Sequence, residues 1–249
     1  MRRIVLSVIV LAACTSSEPP ESPPASASAP APIAVTPAPI EAPRGDAPEA
    51  SPSETARDAI DAPRPTTTGD PKCAEATKRW AAGADAMAAE RREQARQEWL
   101  VVIRDFPTCP EVPHVFLGFG DDAFARGDMT AAKQFYEKTA QFPEPELRAY
   151  AIYKQAWCEL NLGQHDKALQ SFVSVARSVQ ADVPPPRLAR LRDVALRDST
   201  VAFAEVGQPA KARDFYRHVA GASADDLLRR LATHYEDRGD AAAAAAVRP

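Results

Sequence analysis

None of the chain's Phe, Trp or Tyr residues lies between Pro19 and Pro71, whereas fourteen of its 24 prolines do. That stretch has no large side chains from which to build a core, so the core must form within residues 72–249. Charge of one sign is also missing. Thirty Lys and Arg stand against 34 Asp and Glu, a net −4, and both signs intersperse after residue 72. With no basic run, no nucleic-acid partner is expected. The apolar run Ile4–Ala13 is ten residues long, about half of what a helix needs to cross a bilayer. Cysteine is scarce. The four thiols are Cys14, Cys73, Cys109 and Cys158, with no Cys-x-x-Cys, and the four histidines are scattered. No metal site and no cofactor is expected from that spacing. A nucleophile elbow, a phosphate loop and paired catalytic carboxylates are lacking too. Asp121-Asp122 and Asp225-Asp226 read as solvated or helix-capping charge. Neither an enzymatic activity nor a small-molecule substrate is expected.

What is present begins with Met1-Arg2-Arg3, a short positive segment ahead of the apolar run. Together, residues 1–13 have the form of a secretory signal peptide. The run ends in Leu11-Ala12-Ala13-Cys14, which resembles the bacterial lipobox. That resemblance implies cleavage before Cys14 and acylation of Cys14, and several acyl chains make a stable membrane anchor. Thr15 follows in place of Asp, which by resemblance to Gram-negative lipoproteins favours the periplasmic face of the outer membrane. The competing reading is an ordinary cleaved signal with a coincidental cysteine. Residues 14–71 read as a disordered tether rich in Pro, Ala and Ser. Fully extended as polyproline II it could reach on the order of 170 Å, and as a flexible coil nearer ~40 Å.

Residues 72–249 carry one pattern five times. A small residue opens it, Gly stands seven residues on, Ala at twelve and an aromatic at sixteen. The passes read Gly83, Glu90, Ala95, Trp99; Gly120, Gly127, Ala132, Tyr136; Ala156, Gly163, Ala168, Phe172; Thr200, Gly207, Ala212, Tyr216; and Ala232, Gly239, Ala244, Arg248. Small residues let two antiparallel helices approach. Gly at +7 can take positive φ and end the first helix. The bulky residue fills the space towards the next pair. Glu90, Thr200 and Arg248 depart from the pattern. Pro184-Pro185-Pro186 falls in the longest step, where a loop is expected between the third and fourth passes. The alanine run Ala241–Ala246 reads as a terminal cap or a frayed end.

This periodicity, and segments such as Gly127–Tyr136, resemble the tetratricopeptide repeat (TPR) family. The fold class implied is all-α, a solenoid of about five helix–turn–helix repeats over 72–249. Adjacent first helices in such a stack lie 8–10 Å apart. Cys73 and Cys109 sit at near-equivalent places just ahead of two of them, so a Cys73–Cys109 disulfide is expected in an oxidising compartment. Cys158 reads as a buried small residue.

The family's offset rule also implies a concave binding groove. Over the first three repeats it would be lined by Trp80, His114, Leu117, Asp121, Phe124, Tyr150, Tyr153, Trp157 and Asn161, with Arg197 following. Exposed Trp and Tyr are common anchors for peptides and proteins. The alternative for Trp80 and Phe124 is packing against the N-terminal segment or neighbouring helices. A Tyr153→Ala, Trp157→Ala chain is expected to lose its partner while staying helical. The function implied is a lipid-anchored envelope scaffold that holds a protein or peptide. The architecture also resembles the repeat lipoprotein of the outer-membrane β-barrel assembly machinery, and Ala151–Gly163 resembles repeat proteins of gliding-motility assemblies; a further alternative is a cell-wall role in which the tether crosses peptidoglycan and the repeats assist a wall enzyme.

Overall fold

The computed structural model describes residues 61–65, 70–178 and 184–249. The signal segment 1–13, Cys14, most of the expected tether and the loop ahead of Pro184 lie outside the described residues. Among the described residues there is no strand, and no helix is long and apolar enough to cross a membrane. Helices α1 (Ala74–Ala88) and α2 (Arg92–Asp105) form the first hairpin. Helices α3 (Glu111–Ala125) and α4 (Met129–Thr139) form the second, and α5 (Pro145–Asn161) and α6 (His165–Ser178) the third. The fourth pairs α7 (Pro186–Val206) with α8 (Ala212–Ala220), and the fifth pairs α9 (Ala224–Asp237) with α10 (Ala241–Val247). Each helix packs on the next, α7 and α8 through Phe203 against Phe215 and Tyr216, and first helices also meet: α1 on α3, α5 on α7, α7 on α9. The result is a stack of helical hairpins, consistent with the expected solenoid.

Local chemistry sets the helix ends. Asp128 and Asp240 accept hydrogen bonds from the backbone N–H of Ala131 and Ala243, at 3.0 and 2.9 Å, and so cap α4 and α10. Pro145 and Pro186 open α5 and α7, where a missing N–H costs nothing. At three of the hairpin turns Gly127, Gly163 and Gly239 hold φ of +76°, +69° and +76°. Glu90 takes the same place in the first hairpin at φ +58°, a conformation that costs a residue with a Cβ about 1 kcal/mol or more. Glu90→Gly is therefore expected to raise stability by about 1 kcal/mol, read as a higher urea midpoint. An unchanged or lower midpoint would mean that the turn is not strained. Gly207 departs from the expected positive φ. It continues from α7 at φ −75° into a short 3-10 turn, Pro209–Lys211. Its need is for room, because a Cβ there would stand 2.2 Å from the Phe203 ring.

The aromatic at the end of each pattern is the wedge between neighbouring hairpins. Trp99 lies between Gly83 of its own repeat and Gly118 of the next. A Cβ on either glycine would meet the indole at 2.2 or 2.5 Å. The indole N–H donates to the Trp80 carbonyl at 3.1 Å, so the buried ring leaves no donor unpaired. Tyr136 rests on Gly120 in the same way, and Tyr136, Phe172 and Tyr216 are wholly buried. In the last repeat Arg248 stays exposed and pairs with Glu236, and Val247 fills the core beside it. Ala243 and Ala244 pack there as well, so the alanine run is a closing helix.

Cys73 and Cys109 are joined by a disulfide with their α-carbons 5.6 Å apart. It clamps the start of α1 to the start of α3, within a cluster that includes Trp99, Val102 and Val115. Cys158 is free and buried in the central cluster, and burial pushes its thiol pKa up to about 12.

Candidate partner-binding face

The residues expected to line a groove stand on α1, α3, α5 and α7, and most of them are covered. His114, Leu117, Tyr150, Tyr153 and Trp157 are buried, whereas Trp80, Asp121, Phe124, Asn161 and Arg197 are partly exposed. Trp80 packs on the first cluster and meets His114 edge-on, with ring centroids 6.2 Å apart. Phe124 packs on the central cluster with the Lys154 ammonium 4.8 Å from its ring centroid, a cation–π arrangement. Asp121 accepts from the Tyr136 hydroxyl at 2.7 Å and pairs with Lys154 at 3.0 Å. Asn161 donates to the Trp157 carbonyl at 2.8 Å, and the Arg197 side chain to the Asp193 carbonyl at 3.4 Å.

Neighbouring helices bury part of this face, and a segment from the expected tether meets it as well. Asp61–Pro65, inside the expected tether, lies against it. Ala62 packs on the central cluster and Pro63 is buried. The Arg187 guanidinium at the start of α7 donates to the Asp61 carbonyl. Burial raises the pKa of the Tyr150 hydroxyl, while Arg187 and Asp61 act on it with opposite signs. Burial lowers the pKa of His114 to about 4, and the nearby Pro63 backbone opposes the shift without closing a formed hydrogen bond.

Tyr153 faces inward. Its hydroxyl donates to Asp198 on α7 at 2.8 Å, and both side chains are buried. Asp198 lies two residues before the opening Thr200, on the core side of α7, so the groove offsets pass over it. Burial raises its carboxyl pKa to about 6, partly offset by the Tyr153 hydrogen bond and the Arg197 charge. Asp198 and His114 tilt stability in opposite directions. The Asp198 carboxyl holds its proton up to about pH 6, against an ordinary value near 4. Its contribution is complete below pH ~4 and is lost as pH rises through 6. His114 stays neutral down to about pH 4 against an ordinary value near 6.5. Its contribution is complete above pH ~6.5 and is lost as pH falls through 4. Each amounts to roughly 3 kcal/mol. Asp198→Asn keeps an acceptor for Tyr153 and removes only one slope. The variant is expected to gain about 1–2 kcal/mol at pH 7 and to become markedly more acid-sensitive than the parent between pH 6.5 and 4. Urea midpoints across that range check it, and superimposable profiles would refute the Asp198 shift.

For metal binding, the described residues bring the Cys73 and Cys109 sulfurs and a Glu111 carboxylate oxygen within 4.8 Å of one another. With the sulfurs bonded to each other, no thiolate is available there. Glu111 is buried and accepts from the Thr77 hydroxyl at 2.6 Å.

Reading the sequence missed three participants in this face: the Asp61–Pro65 segment, Arg187 and Asp198. The first two meet across 126 positions of chain, a distance over which no local pattern carries information. No curated protein and no solved structure matches the chain. Residues 150–178 match the family model "Tetratricopeptide repeat", and the α5–α6 hairpin they span is a tetratricopeptide repeat.

Proposed function

We propose that this chain is an interaction protein of the cell envelope: its stacked repeats hold a protein partner, and a lipid on Cys14 keeps them at a membrane. A tetratricopeptide repeat points to protein–protein interaction in general. The observation that carries the reading further is the occupied first-helix face. A proline-containing stretch, Asp61–Pro65, already packs on the central cluster through Ala62 and takes a hydrogen bond from Arg187 on α7. A face that receives one such stretch has the shape and polar groups to receive a partner's. The lipobox-like Leu11–Cys14 supports the anchor, and the Cys73–Cys109 disulfide suits an oxidising compartment. The chain binds rather than catalyses.

The test places a photo-cross-linking residue at Phe124 or Arg197 on first helices and, in separate chains, at Leu100, an exposed position on α2. Partner cross-links from the first two positions alone support the reading. Cross-links from Leu100 alone would move the binding face to the second helices. In parallel, Cys14→Ser is expected to release the chain from the membrane fraction, and retention there would remove the anchor from the proposal.

A further inference from the structure

The contacts of the docked segment define what the face recognises. Pro63 is buried and Ala62 half-buried, so the deepest part of the ligand is an Ala-Pro step. Proline suits burial in a place without backbone acceptors because it has no N–H to leave unpaired. Its fixed φ also means that an extended peptide loses little freedom on docking. The carbonyls are the groups that need partners. Arg187 donates to that of Asp61, whereas the His114 ring beside Pro63 forms no hydrogen bond with it. The Asp61 side chain is exposed, and the Arg187 guanidinium that takes its carbonyl places a positive charge beside the position before Ala-Pro, which suits an acid there.

The same triplet, acid-Ala-Pro, stands at three places in the sequence: Glu41-Ala42-Pro43, Asp46-Ala47-Pro48 and Asp61-Ala62-Pro63. The first and last match over five residues, Ile40-Glu41-Ala42-Pro43-Arg44 and Ile60-Asp61-Ala62-Pro63-Arg64. A short motif repeated in this way provides a defined probe of the site.

We infer that the face formed by His114, Tyr150 and Arg187 is a receptor for extended acid-Ala-Pro peptides, and that Asp61–Pro65 is a resident ligand which an incoming peptide must displace. This rests on the protein-binding reading above and names its ligand class. A ligand joined to its receptor by a short connection acts at an effective concentration on the order of mM. An outside peptide of ordinary affinity therefore binds the unaltered chain weakly, and unseating the resident copy restores its affinity.

The experiment uses the full chain, with Pro63→Asp to unseat the resident segment by burying a charge. A milder Pro63→Ala chain serves if the first loses helical content. The probe is a fluorescein-labelled synthetic peptide, Pro-Ile-Glu-Ala-Pro-Arg-Gly, taken from residues 39–45. Anisotropy titration is expected to show at least tenfold tighter binding to the unseated chain than to the parent. Adding Arg187→Glu to the unseated chain is expected to weaken the probe about tenfold, as is replacing the probe's Glu by Lys. Equal affinity for parent and unseated chains would overturn the resident role. An absence of saturable binding, or equal binding of a scrambled peptide, would overturn the site. If a protein still cross-links through Phe124 or Arg197 while the probe fails, the ligand class falls and the protein-binding reading stands.

Discussion

Replacing both Tyr153 and Trp157 by Ala is expected to destroy the cooperative fold of the central repeats rather than to blunt a binding surface. Tyr153 is 3% exposed and Trp157 2%. Both rings pack on Phe172, with centroids 5.9 and 5.7 Å away. Removing one large buried aromatic costs about 3–5 kcal/mol. Two neighbours in one cluster approach the whole stability of a domain, about 5–15 kcal/mol. Polar chemistry adds to the loss, because Tyr153→Ala leaves the buried Asp198 carboxylate without its hydroxyl donor. Far-UV circular dichroism and urea unfolding should show reduced helicity or a transition shifted to low denaturant. A native-like transition would mean that both side chains are surface groups. The sequence alone leads to the other expectation, a folded chain that has lost its partner, and burial removes the basis for that separation. Substitutions that test binding belong at partly exposed positions such as Arg187 and Phe124.

The contrast shows which features of this chain can be read locally. The turn glycines, the small opening residues and the aromatic wedges recur at fixed spacing because each hairpin solves the same packing problem with nearby residues. Trp99 is fixed by Gly83, sixteen positions earlier in the pattern, and Gly118 repeats the same constraint one hairpin on. The departures carry physical meaning too. Glu90 is a hairpin turn forced into a glycine conformation, whereas Gly207 shows that one residue type can be required by space instead of φ. The binding face is different. An offset rule identifies which side of a helix a residue occupies, but whether that side meets solvent depends on what else folds over it. Here Asp61–Pro65 comes from a stretch whose composition predicts disorder, and the helix it joins begins at Pro186. Composition ranks a segment by the core it can build, not by the core it can join.

Loss of the Cys73–Cys109 disulfide is the second large effect expected, and it should be felt unevenly. The bond closes a loop of sequence separation 36, for which the chain-entropy model gives about 4 kcal/mol. Around it lie Ala76, Trp99, Val102, Val112 and Val115, the cluster that holds the first hairpin to the second. In a stack where each hairpin touches mainly its neighbours, stability is a sum of local and interface contributions. A terminal hairpin has one interface instead of two, so α1 and α2 depend on the clamp more than α7 to α10 do. Cys109→Ser, or dithiothreitol, is expected to raise hydrogen exchange across Ala74–Asp105 by two to three orders of magnitude, corresponding to that 4 kcal/mol. Exchange across Pro186–Val206 should be nearly unchanged. A uniform rise over the chain would show one cooperative unit in place of stacked hairpins, and no rise in α1 and α2 would show that packing around Trp99 suffices without the bond. If the first outcome holds, the chain keeps its complete first-helix face only where thiols are oxidised, because α1 supplies Trp80 beside His114. Redox compartment and binding competence then become one physical condition.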